Sequence, residues 1–192
     1  MRVAGSSQDE KAIAVNEVPL PDAAMNATLV LGVGNVLLSD EGAGVHAMRY
    51  LEEHFQPLPG TTCIDAGTLS FTLAADIAAA DNLLIFDAAQ FDGNAGEVRL
   101  FEGGSLDEFL KSGRRSVHEV GFSDLMDIAR LQDCLPANRA MIGIQPAVLG
   151  WGEAPGTAVQ QAIPEAAALA ADTICRWTAG CGAPQDPSLV TA

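Results

Sequence analysis

The stretch Leu29-Val30-Leu31-Gly32-Val33-Gly34-Asn35-Val36-Leu37-Leu38-Ser39-Asp40-Glu41-Gly42-Ala43-Gly44-Val45 constrains what this chain can fold into more than any other. A short apolar run breaks on Gly32 and Gly34, then presents Asp40 and Glu41 ahead of a segment with helical period. Such a pattern predicts a buried strand that feeds a helix through a tight turn. In open α/β sheets these turns lie at the carboxyl edge of the strands, where ligands bind. The two acids therefore stand where chemistry is expected.

The remaining segments extend the same alternation. Residues 1–27 mix Ser6, Ser7, Gln8, Asp9, Glu10 and Lys11 with Pro19 and Pro21, without a period. They are expected to be a disordered leader, because they bury too little apolar area to offset ordering entropy. A first strand is predicted over 28–34. A helix follows with Ala43, Ala47, Met48, Leu51 and Phe55 on its inner face. Ser39 or Asp40 is the expected cap, with Glu41 in the first turn, where the helix dipole favours a carboxylate. A second strand over 61–64 ends at Asp65-Ala66-Gly67-Thr68, and a small-residue helix over 70–80 packs through Phe71, Leu73, Ala74 and Ile77. The continuous run Leu83-Leu84-Ile85-Phe86 marks a strand covered on both faces, and it ends on Asp87.

A turn at 92–96 leads into an alternating strand over 97–101. That strand is expected antiparallel beside its predecessor, since the connection is too short for a helical crossover. A short helix at 105–111 and a polar loop at 113–116 deliver His118. The next helix, 122–135, shows Leu125, Ile128, Ala129 and Leu131, and the last strand, 140–144, stops at Gln145-Pro146. A Gly/Pro-rich loop over 151–157 precedes a final helix that runs to about Trp177, interrupted or restarted at Pro164. The expected fold class is α/β: a three-layer αβα sandwich around a mostly parallel, twisted sheet of about five strands. One domain over 28–180 and a flexible tail over 181–192 complete the expected organisation.

Charge narrows the partners. A net charge of −15 and a pI near 4.3 oppose binding to nucleic acid or to an anionic membrane, which need a basic footprint. No run of about 18 apolar residues is present, so no membrane insertion is expected. Residues 1–15 lack the basic and apolar regions of a secretory signal. Cys63, Cys134, Cys175 and Cys181 form no C-x-x-C pair. A reduced, cytoplasmic protein with incidental thiols is the reading.

Several sites compete. Gly32-x-Gly34 after a strand suggests a dinucleotide fold, with Asp65 as a ribose contact. The third glycine position, however, holds Leu37, and Asp40 and Glu41 would repel a pyrophosphate. A metal site can be drawn from Glu41, Asp87 and His118, each at or near a strand's carboxyl end. Two carboxylates and an imidazole suit Zn²⁺, Ni²⁺ or Fe²⁺ and leave positions open for water or substrate. The plain alternatives are turn carboxylates and a histidine that caps the following helix. His46 and His54 are expected to be solvated, and Cys63, inside a strand, is expected to be inert.

Leu31-Gly32-Val33-Gly34-Asn35-Val36-Leu37-Leu38-Ser39-Asp40-Glu41-Gly42 closely resembles the N-terminal signature of the [NiFe]-hydrogenase maturation proteases. Asp65-Ala66-Gly67-Thr68 is similar to that family's second block, with Ala66 in place of a glycine. Phe86-Asp87-Ala88 resembles the third, Ser116-Val117-His118-Glu119-Val120-Gly121 the fourth, and Ile142-Gly143-Ile144-Gln145-Pro146 the closing strand. These blocks run in order between residues 29 and 177. The resemblance implies an endopeptidase, aspartyl-type or metal-dependent, that removes a C-terminal extension from the nickel-loaded large-subunit precursor. It implies Glu41, Asp87 and His118 as the metal-contacting residues, which are also the expected catalytic ones. Asp65 is a separate candidate, expected to hold a ligand or the Gly67 turn in place. The resemblance also implies nickel supplied by the precursor, with Zn or Cd as surrogates in vitro. A nickel-checking chaperone or binding module, and a nucleotide-binding oxidoreductase, are the alternative functions.

Overall fold

The computed structural model describes residues 27–55, 58–68, 71–111 and 119–178. The expected leader and tail fall, but for Ala27, outside the described residues, as do His118, Cys181 and the 113–116 loop. The strands are β1 (Thr28–Val33), β2 (Thr61–Gly67), β3 (Asn82–Ala88), β4 (Val98–Glu102) and β5 (Asn138–Ile144). The helices are α1 (Ala43–His54), α2 (Ala74–Ala79), α3 (Gly104–Lys111), α4 (Glu119–Leu131) and α5 (Thr157–Trp177). One five-stranded sheet runs in the order β2-β1-β3-β5-β4. All neighbours are parallel except β4 against β5.

Both faces of the sheet are covered. Val30, Leu84, Phe86, Ile142 and Ile144 pack against Ala47, Met48 and Leu51 of α1 and Ala166, Ala167 and Ala170 of α5. On the other face Leu31, Leu83, Ile85 and Met141 meet Ile77 of α2, Leu106 and Phe109 of α3, and Leu125 and Met126 of α4. Every residue of β1 and β3 is buried, which is why both read as unbroken apolar runs.

Four local expectations are corrected. β4 is antiparallel, but its partner is β5, which lies between it and β3. The connection from β3 arches over that gap and is anchored to the end of β5, where Gln145 Oε1 accepts from the N–H groups of Phe91 (2.9 Å) and Gly93 (3.3 Å). In α4 the inner face is Phe122, Leu125, Met126 and Ala129, whereas Leu131 is 87% exposed. The segment 70–80 contains a 3-10 turn (Phe71–Leu73) before α2, and Phe71 faces solvent. Pro164 lies inside a continuous α5. Ala162, Ile163, Ala166 and Ala167 flank it in the core, so packing on both sides outweighs the lost backbone hydrogen bond.

α1 lies very close to the sheet at Gly44, where a Cβ would collide with the carbonyl oxygens of Val33 and Phe86. Both obstacles are backbone atoms of buried strands. Gly44→Ala is therefore expected to cost about 3 kcal/mol, the upper range for overpacking, measured as a lower urea midpoint at unchanged slope.

Candidate active site

The chain leaves β1 toward β2 on one side and leaves β3 toward the β4–β5 side on the other. The carboxyl ends of the adjacent strands β1 and β3 thus flank a topological switch point, the crevice where open α/β sheets bind ligands. Glu41 sits in a 3-10 turn (Asp40–Gly42) just past β1, and that turn packs on β3, which carries Asp87.

Close backbone packing builds the turn. Gly34 has φ +141°, and a Cβ there would strike the carbonyl oxygen of Glu41. Leu38 donates to the Asn35 carbonyl (3.0 Å), Glu41 to Leu38 (3.1 Å) and Gly42 to Ser39 (3.1 Å). Ser39 adopts φ +50°, a conformation costly for a residue with a Cβ. Asp40 is wholly buried. Its Oδ2 accepts from the N–H groups of Ala147 (2.8 Å) and Val148 (2.7 Å), and its Oδ1 from that of Gly156 (2.6 Å). Neither Ser39 nor Asp40 caps α1, contrary to the sequence expectation: the N-cap is Gly42, with no side-chain bond. Asp40 is engaged by three backbone donors from a distant loop.

Glu41 is half-buried and Asp87 is 3% exposed. Side chains alternate across a strand. Phe86 lies on the α1–α5 face and Ile85 on the other, which places Asp87 with Ile85 on the side of α4. His118 lies outside the described residues, one position ahead of α4 in the chain. Among the described residues no three His, Cys, Asp or Glu side chains group as a metal site. Glu41 and Asp87 supply hard oxygen donors, and an imidazole would complete a set suited to a borderline divalent ion.

Asp65 belongs to the opposite face. It pairs in register with Gly32, as does Phe86, and its Oδ2 receives Arg49 of α1 at 2.9 Å. Its Oδ1 accepts from the Gly67 N–H (3.0 Å), and Gly67 in turn accepts from Gly34 (2.7 Å), which joins the end of β2 to the end of β1.

His46 departs from its expectation. Its Nε2 is buried without a hydrogen-bond partner, and burial pulls its pKa below the ordinary 6.5, assisted by Arg49 and opposed by Asp65. His54 is exposed, stacks on Tyr50 and contacts the Tyr50 carbonyl through Nδ1. Burial, and secondarily Glu52, pushes the Cys63 thiol up to about 12, so it is inert as a nucleophile near neutral pH. Sequence reasoning missed the structural roles of Asp40 and Gln145. The only available signals were an acid beside Glu41 and a polar residue stopping the last strand. A cavity of about 240 Å³ lies between α3 and α4, lined by Asp107, Leu110, Lys111, Met126, Asp127 and Arg130. Asp107 pairs there with Arg139 at the start of β5, on the sheet edge opposite Asp87.

Residues 45–177 match the family model described as hydrogenase maturation protease. The hydrogenase expression/formation protein HoxM of Cupriavidus necator is 33% identical over 150 residues, covering 78% of this chain and 74% of that protein. HupD of Bradyrhizobium diazoefficiens is 31% identical over 153 residues, covering 79% and 80%. Among solved structures, the hydrogenase maturating endopeptidase HybD from Escherichia coli superposes with a TM-score of 0.68 at 28% identity, covering 75% of this chain and 89% of that one. The [NiFe] hydrogenase maturation protease HybD from Thermococcus kodakarensis gives 0.66 at 31% identity, covering 76% and 97%.

Two outcomes test the local physics. Asp40→Asn is expected to lower stability by about 2 kcal/mol, since the amide retains one acceptor oxygen and turns its NH₂ toward backbone donors. Faster amide exchange at Ala147, Val148 and Gly156 should accompany it. For His46, the unfolded chain takes up a proton below pH 6.5 that the folded chain resists. Stability should therefore fall as pH drops from 6.5 through that lowered value, and an NMR titration of the His46 ring should show a midpoint below 6.5.

Proposed function

Because the chain belongs to the hydrogenase maturation protease family, we propose that it is an endopeptidase that cleaves a C-terminal extension from a nickel-loaded [NiFe]-hydrogenase large-subunit precursor. The observation that carries this reading is the placing of Glu41 and Asp87 at the switch point between β1 and β3, in a fold shared with maturation endopeptidases. A dinucleotide finds no such support: the helix start holds a buried Asp40 and Glu41, and β-strand backbone fills the space beside Gly44.

In this reading nickel belongs to the substrate. The precursor presents its bound ion to Glu41, Asp87 and His118, which together recognise a loaded site and reject an empty one. The ion polarises the scissile carbonyl or acidifies a water. One carboxylate of this chain accepts the proton of the attacking water, whose oxygen bonds to the carbonyl carbon. The carbon–nitrogen bond then breaks and the departing amine takes the proton. Asp87 is suited to hold position, since a side chain 3% exposed on a central strand has little freedom to move. Zn or Cd would occupy the same donors in vitro. No described helix is long and apolar enough to cross a membrane.

Glu41→Gln, Asp87→Asn and His118→Ala should each slow processing of nickel-loaded precursor by about 100-fold or more, read by mass spectrometry as retention of the extension. Nickel-free precursor should stay intact with the unaltered enzyme. Unimpaired cleavage by all three variants would falsify the assignment. Binding of the precursor without loss of mass would instead make the chain a nickel-checking module.

A further inference from the structure

Large apolar side chains lie outside the core beside the candidate site. Leu37 is 49% exposed, Val148 53%, Leu149 50% and Trp151 88%. They come from two segments more than a hundred residues apart, yet the backbone binds those segments into one ribbon. Ser39 N–H donates to the Gly152 carbonyl (2.7 Å), Gly152 N–H to Leu37 (3.0 Å) and Asp40 N–H to Val148 (3.2 Å). Isolated bridges pair Leu38 with Gly152 and Ser39 with Leu149. The buried Asp40 carboxylate fastens the ribbon from beneath.

We propose that this ribbon is the docking surface for the protein substrate and receives an apolar segment of the precursor next to its scissile bond, an inference that rests on the protease reading above. Continuity with the site is the first ground. Ser39 and Asp40 are bonded into the ribbon and Glu41 is the next residue in the chain, in the turn that packs on β3, so the ribbon runs directly into the turn that carries Glu41. Rigidity is the second. The hydrogen bonds fix the backbone at Leu37, and at Val148 and Gly152 beside Leu149 and Trp151, before any partner arrives, which lowers the backbone ordering cost of binding. Chemistry is the third. An exposed tryptophan amid aliphatic residues matches the composition of binding hot spots, and a folded macromolecular substrate needs more contact area than three ligands supply. Neither residues 35–45 nor residues 145–160 contain a Lys or Arg, while Glu41 and Glu153 border the patch. An apolar segment free of acidic residues fits that rim, and an acidic one is repelled.

The test is steady-state processing of nickel-loaded precursor by the full chain carrying Trp151→Ala, Trp151→Phe or Leu149→Lys, with Leu131→Ala as the control. Leu131 is as exposed as Trp151 but ends α4, outside the ribbon. Trp151→Ala and Leu149→Lys should raise KM at least about tenfold, with most of the loss in KM rather than kcat. Trp151→Phe should recover most of it, and Leu131→Ala should change KM less than about twofold. Melting curves identify any variant that has lost its fold. An unchanged KM in Trp151→Ala and Leu149→Lys, with the unaltered enzyme cleaving normally, overturns the docking surface and leaves the protease reading standing. A self-associated chain that Trp151→Ala dissociates without moving KM overturns it too, by assigning the patch to a second copy. If the unaltered enzyme neither cleaves nor binds the loaded precursor, the protease reading falls and the docking surface with it.

Discussion

The Asp40 carboxylate, buried and bonded to three backbone N–H groups, is the contact on which the architecture of the site depends. An ion removed from water is tolerated only where donors replace the solvent, and charge-assisted bonds to amides are among the stronger such replacements. Here the donors belong to the loop between β5 and α5, and the acceptor belongs to the turn after β1. The two connections would otherwise be separate surface loops. Joined, they form one hydrogen-bonded rim past the carboxyl ends of β1 and β5, which carries both Glu41 and Trp151. The adjacent acids Asp40 and Glu41 thus differ in setting: Asp40 is buried and fastened to a distant loop, and Glu41 is half-buried beside it.

Alternation along the strands sorts the remaining acids. Asp65 and Phe86 both lie level with Gly32, and Asp65 meets Arg49 on the α1 face. Asp87 follows Phe86 and turns to the opposite face, on the side of α4. Carboxylates at the ends of neighbouring strands are therefore not equivalent, although each closes an apolar run in the sequence. The order β2-β1-β3-β5-β4 then decides which strand ends face the crevice, because only β1 and β3 straddle the reversal of direction.

Glycine makes the rim compact. At Gly34 and Gly44 backbone approaches backbone so closely that no side chain fits, at the Glu41 and at the Val33 and Phe86 carbonyls respectively. The same glycines suggest a nucleotide loop when read by spacing alone. Their role here is to let a strand, a turn and a helix start crowd together around acids rather than phosphates.

What the sequence determined by itself was whatever depends on local period and local chemistry. The apolar runs of β1 and β3, the amphipathic face of α1, the turn after Gly34 and the positions of Glu41 and Asp87 at strand ends could all be read from residue order. The resemblance of several short blocks, in order, extended that reading to a family. Only the tertiary structure decided matters that depend on partners distant in the chain. β4 pairs with β5 because a later segment fills the gap beside β3. α5 passes through Pro164 because the core grips it on both sides. Asp40 abandons the cap because a loop more than a hundred residues away offers it three donors. His46 has its Nε2 shut away from solvent because it lies on α1, which packs against the sheet. The preferences overridden were local ones, about 1 kcal/mol for the cap and about 3 kcal/mol for a proline inside a helix, and spacing along a single chain carries no record of the contacts that outweighed them.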